Sequence, residues 1–501
     1  MARFRTEHDT MGRVRVPFKA LWGAQTARAV ENFPVSGLRA DTAMIRAYVL
    51  SKKAAAVANE CQGALPENFA RAIGAACDEI LGPGEPGHDE LVRVAVGRGS
   101  VRVRDPIHRP SRAEAGDLTG ISERYRDEFV VDVFQAGAGT SFNMNCNEVI
   151  ASLANLSLGG ALGNWNPIHP NDHVNMSQST NDTYPTATRL ALLLVTPSLA
   201  AGLRQLSAEL DRKARAFDSV VKSGRTHLQD AVPITLGQEF RGWARSVDRA
   251  TRLLVDATDE LRDLGIGGTA TGTGINTPPG YRSSVVRLLR RMTGLDLRES
   301  SDMRESMQSQ LPIAVVSAAL RNLAVELGRI ANDLRLLSSG PTTGLAEIVL
   351  PTVQPGSSIM PGKVNPSMAE CLNQICFRVM GADATVSAAT AAGQLELNVM
   401  MPVMASETLF AMRILSNFLP SFTTRCITGI EADRERCRDY LEGSPALATF
   451  LSPIIGYEKA AEIAKEAVRT GRSVADIVRE QKILSNADMK RIFSKANLTG
   501  R

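Results

Sequence analysis

Histidine and the aromatic residues are scarce in this chain, and several familiar functional patterns are missing altogether. Six histidines occur in 501 residues, and no pair forms the HExxH motif of a helical zinc hydrolase. His169 and His173 are four apart, but Pro170 and the Asn/Asp run between them disfavour a helix that would present both rings. The seven cysteines (Cys61, Cys77, Cys146, Cys371, Cys376, Cys426, Cys437) contain no CxxC pair, so neither a zinc site nor a redox dithiol is indicated. Their odd number and mostly apolar settings predict reduced core thiols in a cytoplasmic protein. No run of eighteen apolar residues is present, so no bilayer span is expected. The charged start MARFRTEHDTMGRVRV lacks the apolar stretch of a secretion signal. Charge of one sign is lacking too. With 57 basic and 53 acidic residues the net charge is only +4, which gives no case for nucleic acid as the main partner.

Two glycine patterns fail on inspection. Gly137/Gly139 and Gly272/Gly274 have no third glycine and do not sit between a strand and a helix, which excludes a dinucleotide fingerprint. Gly362 and Lys363 look like the end of a phosphate loop. However, five residues separate Gly356 from Gly362 where that loop has four, and Val364 replaces the magnesium-binding Ser/Thr.

Helical periodicity is the clearest positive signal. Val316, Leu320, Leu323, Leu327, Ile330, Leu334 and Leu337 alternate steps of four and three, the seam of a helix packed on near-parallel neighbours. Leu199, Leu203, Leu206, Leu210, Ala214 and Phe217 form a second seam, and Pro197 before it should bend the helix or mark its first turn. A third helical stretch is expected over about Gly237 to Leu264, with more helix after Pro366 and after Pro402. Helices of about thirty residues are ~45 Å long, and strand-like alternation is confined to short pieces such as the VRV near residue 14. The expected class is all-α, built on an extended bundle. Between the helices lie four segments rich in Gly, Ser, Thr and Asn: 135–145, 169–182, 223–230 and 354–366. Their many donors need partners if buried, and an anionic ligand would supply them.

The segment GSSIMPGKVNP at 356–366 resembles the signature loop of the class II fumarase and aspartase superfamily. The resemblance runs along nearly the whole chain. It takes in TEHDTMG (6–12), GAQTARAVENFPVSG (23–37), GAGTSFNMNCNEV, HPNDHVNMSQSTNDTYPTA, GRTHLQDAVPITLGQEF, GTGINTPPGY, NDLRLLSSGP, GQLELNVMMPV and IGYEKAAEIAKEA (455–467), in the family's order. It implies a three-domain all-α fold, with an N-terminal domain over 1–178, a central long-helix bundle over 179–432 and a small helical domain over 433–501. It also implies a homotetramer whose active sites are shared between subunits, and a small dicarboxylate substrate. The reaction would be an anti elimination from a substituted succinate, giving fumarate.

The same resemblance assigns residues. Ser357 would be the base that takes the Cβ proton, and an ordinary serine hydroxyl must be acidified to do so. Thr140, Ser179, Thr180 and Ser358 would bind the β-carboxylate, which becomes dianionic as the proton leaves. Thr226, Lys363 and Asn365 would hold the α-carboxylate. Asn181 and His227 would lie near the leaving group, with His227 a candidate proton relay, and Arg28 would help attract the dianion. No metal or organic cofactor is required by this mechanism. Ala138 and Thr180, in GAGTS and STND, resemble aspartases more than fumarases. The expected reaction is therefore that of aspartate ammonia-lyase; fumarate hydratase, or a lyase for another N- or O-substituted succinate, is the alternative. Residues from about 82 to 125 depart from the family's pattern. Their prolines and charges predict an exposed, partly disordered and dispensable insertion with a short strand near residues 101–104.

Overall fold

The computed structural model describes residues 3–96 and 119–500. Helices dominate it, and among the described residues the only sheets are four two-stranded ones. The class is all-α, as expected. The long helices are Thr180–Ala216, Leu236–Ala257, Leu311–Leu337, Ser367–Ala391 and Met401–Phe422. Every residue of the two apolar seams is buried, from Val316 to Leu337 and from Leu199 to Phe217.

By its contacts the chain divides into two compact units. The first comprises residues up to Leu199, Leu253–Arg321 and Arg378–Ile414; the second comprises Ala200–Arg252, Asn322–Phe377 and the chain from Leu415 onward. In the first, helix Thr42–Cys61 is almost wholly buried, Lys52 and Lys53 included. Tyr48, Phe142 and Tyr184 pack edge to face around it, with centroids 5.2 to 6.4 Å apart. In the second unit Phe217, Phe240 and Trp243 form a similar stack, and Leu451, Ile463, Val474, Ile477 and Val478 centre a small core near the C-terminus.

Several expectations need correction. Pro197 does not mark the first turn of its helix: the helix starts at Thr180 and carries both Pro185 and Pro197 inside. A proline in a helix interior costs about 3 kcal/mol, but burial of the leucine seam around it outweighs that cost. The third helix ends at Ala257 rather than near Leu264. Asp259–Arg262 tightens into a 3-10 turn, and Asp263–Leu264 pairs with Arg298–Glu299 as a short parallel strand. The supposed insertion begins as packed structure, not as an exposed loop. His88–Val96 is a helix with Leu91 fully buried, Arg46 pairs with Glu85, and Lys53 bonds Asp78 and the carbonyl of Pro86. The strand expected near residues 101–104 lies outside the described residues.

All seven cysteines are free, five of them buried. Two helices, Thr180–Ala216 and Leu311–Leu337, are long and apolar enough to cross a membrane by length and composition. The apolar stretch of the first is mostly buried inside the protein, as in the core helix of a globular fold.

Candidate active site

The residues singled out by the sequence fall into two groups, one in each unit. In the first unit they gather at two helix N-termini. Helix Thr140–Ser157 is entered through a tight turn in which Ala138 and Gly139 have φ of 61° and 84°. Glycine is required at the second position because a Cβ there would lie 2.0 Å from the ring of Tyr184. The turn is fixed from the other side by the amide of Ala138, which donates to the carbonyl of Val399 at 2.8 Å. Thr140 follows with its side chain exposed. Tyr184 belongs to the first turns of helix Thr180–Ala216, so its contact with Gly139 brings the start of that helix beside the approach to Thr140.

Helix Thr180–Ala216 begins with a capping box. The Oγ of Ser179 accepts the amide of Asn181 at 3.3 Å, and Oδ1 of Asp182 accepts the amide of Ser179 at 2.9 Å. The other oxygen of Asp182 reaches further. It accepts the amides of Gly267 and Thr269, each at 3.0 Å, and so ties the helix start to the glycine-rich loop. Asn181 adds a bond from Nδ2 to the carbonyl of Ala270 at 2.8 Å. Thr180 and Asp182 are buried. Burial pushes the Asp182 carboxyl up to about 7, against its three backbone donors and the nearby Lys52. Lys52, fully buried, is pushed down to about 7 by the same cause and donates to the side chains of Asn143 and Asn175. Two helix N-termini that carry hydroxyls are a natural seat for a carboxylate.

Arg28 is placed in this unit as well, but already committed. Its guanidinium bonds both oxygens of Asp9, at 2.6 and 3.0 Å, and holds that carboxyl below its ordinary value.

The second unit carries the remaining residues on a hairpin and a loop. Strands Val221–Thr226 and Gln229–Thr235 are joined by a two-residue turn made of His227 and Leu228. Both residues have positive φ, 55° and 58°, the geometry of a hairpin turn that usually takes Asn and Gly. A histidine and a leucine in that conformation store strain of about 1 kcal/mol or more each. The turn therefore holds the imidazole at an exposed tip beside the exposed Thr226.

The loop 356–365 closes on itself. The amide of Gly356 donates to the carbonyl of Lys363 at 2.8 Å, and Nδ2 of Asn365 donates to the carbonyl of Gly356 at 2.7 Å. Gly356 has no room for a Cβ, which would sit 2.5 Å from the oxygen of Lys363. Inside this ring the Oγ of Ser357 accepts two backbone amides, Ile359 at 3.2 Å and Met360 at 3.0 Å. Oriented N–H groups of this kind favour the charged form of an oxygen. Ser358 and Lys363 project from the same ring and are exposed. No hydrogen bond joins His227 to Ser357 among the described residues.

Among the buried carboxylates, Asp182 and Glu347, which lie in or near these segments, were not anticipated. Asp182 was legible in principle, since Ser179 and Asp182 stand at the spacing of a capping box just before an apolar run. Glu347, fully buried between Lys222 and Arg225, left no local signal, because its partners are more than a hundred residues away.

Comparison with known proteins shows the family. Residues 111–381 match the lyase family, and residues 447–500 match the fumarase C C-terminal family. An aspartate ammonia-lyase of Helicobacter pylori is 42% identical over 496 residues, covering 99% of this chain and 97% of that protein. A class II fumarate hydratase of Corynebacterium efficiens is 45% identical over 477 residues, covering 95% and 91%. Among solved structures, a fumarate lyase:delta crystallin from Brucella melitensis bound to cobalt is 44% identical, with a TM-score of 0.85 and 98% of each chain covered. The recombinant class II fumarase from Schistosoma mansoni gives the same TM-score at 31% identity, covering 98% of this chain and 100% of that one. With a family match over more than half its length and such relatives along nearly all of it, the chain belongs to the class II fumarase and aspartase superfamily of lyases.

Proposed function

We propose that the protein is a carbon–nitrogen lyase that converts L-aspartate to fumarate and ammonia. The observation that carries the elimination is the pair of backbone amides, Ile359 and Met360, aimed at the Oγ of Ser357; the choice of ammonia as leaving group rests on Ala138 and Thr180 in GAGTS and STND. The two amides stabilise an alkoxide there, and with Lys363 on the same loop they supply the acidity that a serine base needs. The alkoxide takes one Cβ proton and becomes a hydroxyl. The electron pair left behind is held as an extra charge on the β-carboxylate by Ser358, Thr140, Ser179 and Thr180. It then forms the double bond as the C–N bond breaks, and nitrogen departs with its own pair as neutral ammonia. Thr226, Lys363 and Asn365 hold the α-carboxylate, and Asn181 and His227 face the leaving group. Arg28 contributes to the field that attracts the dianion, reduced by its pairing with Asp9. Each step uses side chains and amides of this protein.

The working unit in this reading is a homotetramer with shared sites. Support comes from apolar side chains left uncovered in the single chain, among them Phe377, Leu311 and Leu228, which are 63%, 58% and 72% exposed.

One observation favours hydration instead: identity to class II fumarate hydratases reaches 45%, against 40 to 42% for the aspartate ammonia-lyases. The difference matters at one step. Ammonia leaves an already protonated amine unaided, whereas a hydroxyl group must receive a proton as it goes, and in that reading His227 gives it. The test is fumarate absorbance with purified protein given L-aspartate or L-malate in turn. Turnover of aspartate is expected; turnover of malate alone would overturn the ammonia-lyase reading.

A further inference from the structure

The glycine-rich loop 265–274 carries none of the assigned site residues, yet it is packed without slack. It folds on itself: the amide of Gly268 donates to the carbonyl of Gly265 at 3.1 Å, and those of Gly272 and Gly274 donate to the carbonyl of Gly268 at 3.1 and 3.0 Å. It also lies against helix Met303–Gln308. A Cβ on Gly272 would come within 2.7 Å of the backbone of Arg304, and one on Gly265 within 3.0 Å of Ser306. A second support is Asp182, which accepts the amides of Gly267 and Thr269. Held in this way, Thr269 has a φ of 57°. A β-branched residue rarely adopts that conformation and keeps it only where its surroundings impose it.

What the rigidity serves is found one residue on. Ala270 follows Thr269, and its carbonyl accepts Nδ2 of Asn181 at 2.8 Å. A carbonyl can only accept, so this bond settles which way the Asn181 amide points. Its NH2 faces the loop, and Oδ1, which has no hydrogen-bond partner among the described residues, is left for a substrate. An ammonium group carries only donors and needs an acceptor there. An amide turned the other way would set N–H against N–H. The helix that supports the loop also reaches the Thr140 turn: the carbonyl of Met307 accepts the amide of Asn398 at 3.1 Å, and the carbonyl of Val399 accepts that of Ala138 at 2.8 Å. Asn181 and that turn are thus referred to one frame.

We propose that the loop 267–270, clamped by Asp182, is a specificity device for the leaving group: the Ala270 carbonyl holds the Asn181 amide with its oxygen toward the substrate's nitrogen. This rests on the ammonia-lyase reading and on Asn181 facing the leaving group. Every residue of the device belongs to one unit of one chain. It acts on the nitrogen and not on the carboxylates, and that separates it from a general support of the fold.

The test moves the loop while leaving Asn181, Asp182 and Ser179 in place. In Gly272→Ala the new methyl group meets the backbone of Arg304, and the φ of 84° strains it as well, so the loop must shift. Succinate, which has both carboxylates and no nitrogen, serves as a competitive inhibitor, and rates are taken per intact assembly. Asn181→Ala should lower kcat/KM on L-aspartate about ten- to a hundredfold, as loss of a hydrogen bond to a charged group does. Gly272→Ala should lower it at least about fivefold, with the inhibition constant of succinate within about threefold of wild type. On the Asn181→Ala background Gly272→Ala should add less than about twofold, because both act through the same amide. Should Gly272→Ala not fold, Gly267→Ala takes its place, since its φ is 87° and its Cβ would come 3.0 Å from that of Arg282. A smaller loss on aspartate, an equal weakening of succinate, or a full second loss on the Asn181→Ala background would overturn the proposal. Failure of the underlying reading shows up separately, in the wild type, as turnover of malate alone.

Discussion

The Oγ of Ser357 lies 3.0 Å from the amide nitrogen of Met360, in a turn that the serine closes itself. A hydroxyl in that position is already an acceptor of two N–H groups, so developing negative charge finds its donors in place without reorganisation. Ser357→Ala should therefore lower turnover about 10³-fold, in the range of a lost general base, while substrate still binds. Fumarate release from an intact assembly measures it, and a variant within tenfold of wild type would remove Ser357 from the mechanism.

Gly356 supports the same turn by having no side chain. A methyl group there would meet the Lys363 oxygen at 2.5 Å and the Asn365 nitrogen at 2.7 Å, both of them backbone atoms. The ring must open to admit it. Gly356→Ala should cost activity about 10²-fold, as a displacement of about 1 Å would, with little change in overall thermal stability because the loop is exposed. Retained kcat would show that the ring can shift at no cost to the chemistry.

Asp182 lends itself to a test by pH. Burial raises its carboxyl to about 7 in the folded protein, from about 3.9 in an unfolded chain. The folded state then holds the proton more tightly, so this group's stabilising contribution is complete below about pH 4 and is lost as pH rises through about 7. Asp182→Asn removes that dependence and sets an amide N–H against backbone donors, at a cost of about 1–3 kcal/mol. The gap in thermal midpoint between wild type and variant should narrow between pH 5 and pH 8. A gap that widens would mean the ionised carboxylate is the form the fold prefers.

His227 separates the two candidate leaving groups. An ammonia-lyase needs no proton for the departing nitrogen, so His227→Asn should reduce kcat on aspartate by less than about tenfold. Loss of a general acid costs about 10² to 10⁴, and a fall of that size would indicate that His227 protonates the leaving group, as elimination of water demands.

The chain between residues 82 and 125 should prove divisible. Replacing 97–118 by a short Gly/Ser linker is expected to leave turnover intact. Removing 83–96 as well should prevent folding, because it takes away buried Leu91 and the partners of Arg46 and Lys53. Circular dichroism and turnover distinguish the two deletions. A shorter deletion that folds but does not turn over would give 97–118 a part in the activity.

Sequence alone determined the helical class, the seams from Leu199 to Phe217 and Val316 to Leu337, and the four polar segments that hold most of the candidate site residues. These are local properties: apolar periodicity records which face is buried, and a loop such as GSSIMPGKVNP is held by bonds within a span of ten residues. Only the tertiary structure decided that Pro197 lies inside a helix, that Glu85, Pro86 and Leu91 anchor the start of the 82–125 segment, and that Arg28 is bound to Asp9. It alone revealed Asp182 bridging to Gly267 and Thr269, and Glu347 clamping Lys222 and Arg225. The reason is physical. A buried charge is settled by partners that folding brings from distant parts of the chain, and no local pattern of residues records who those partners are.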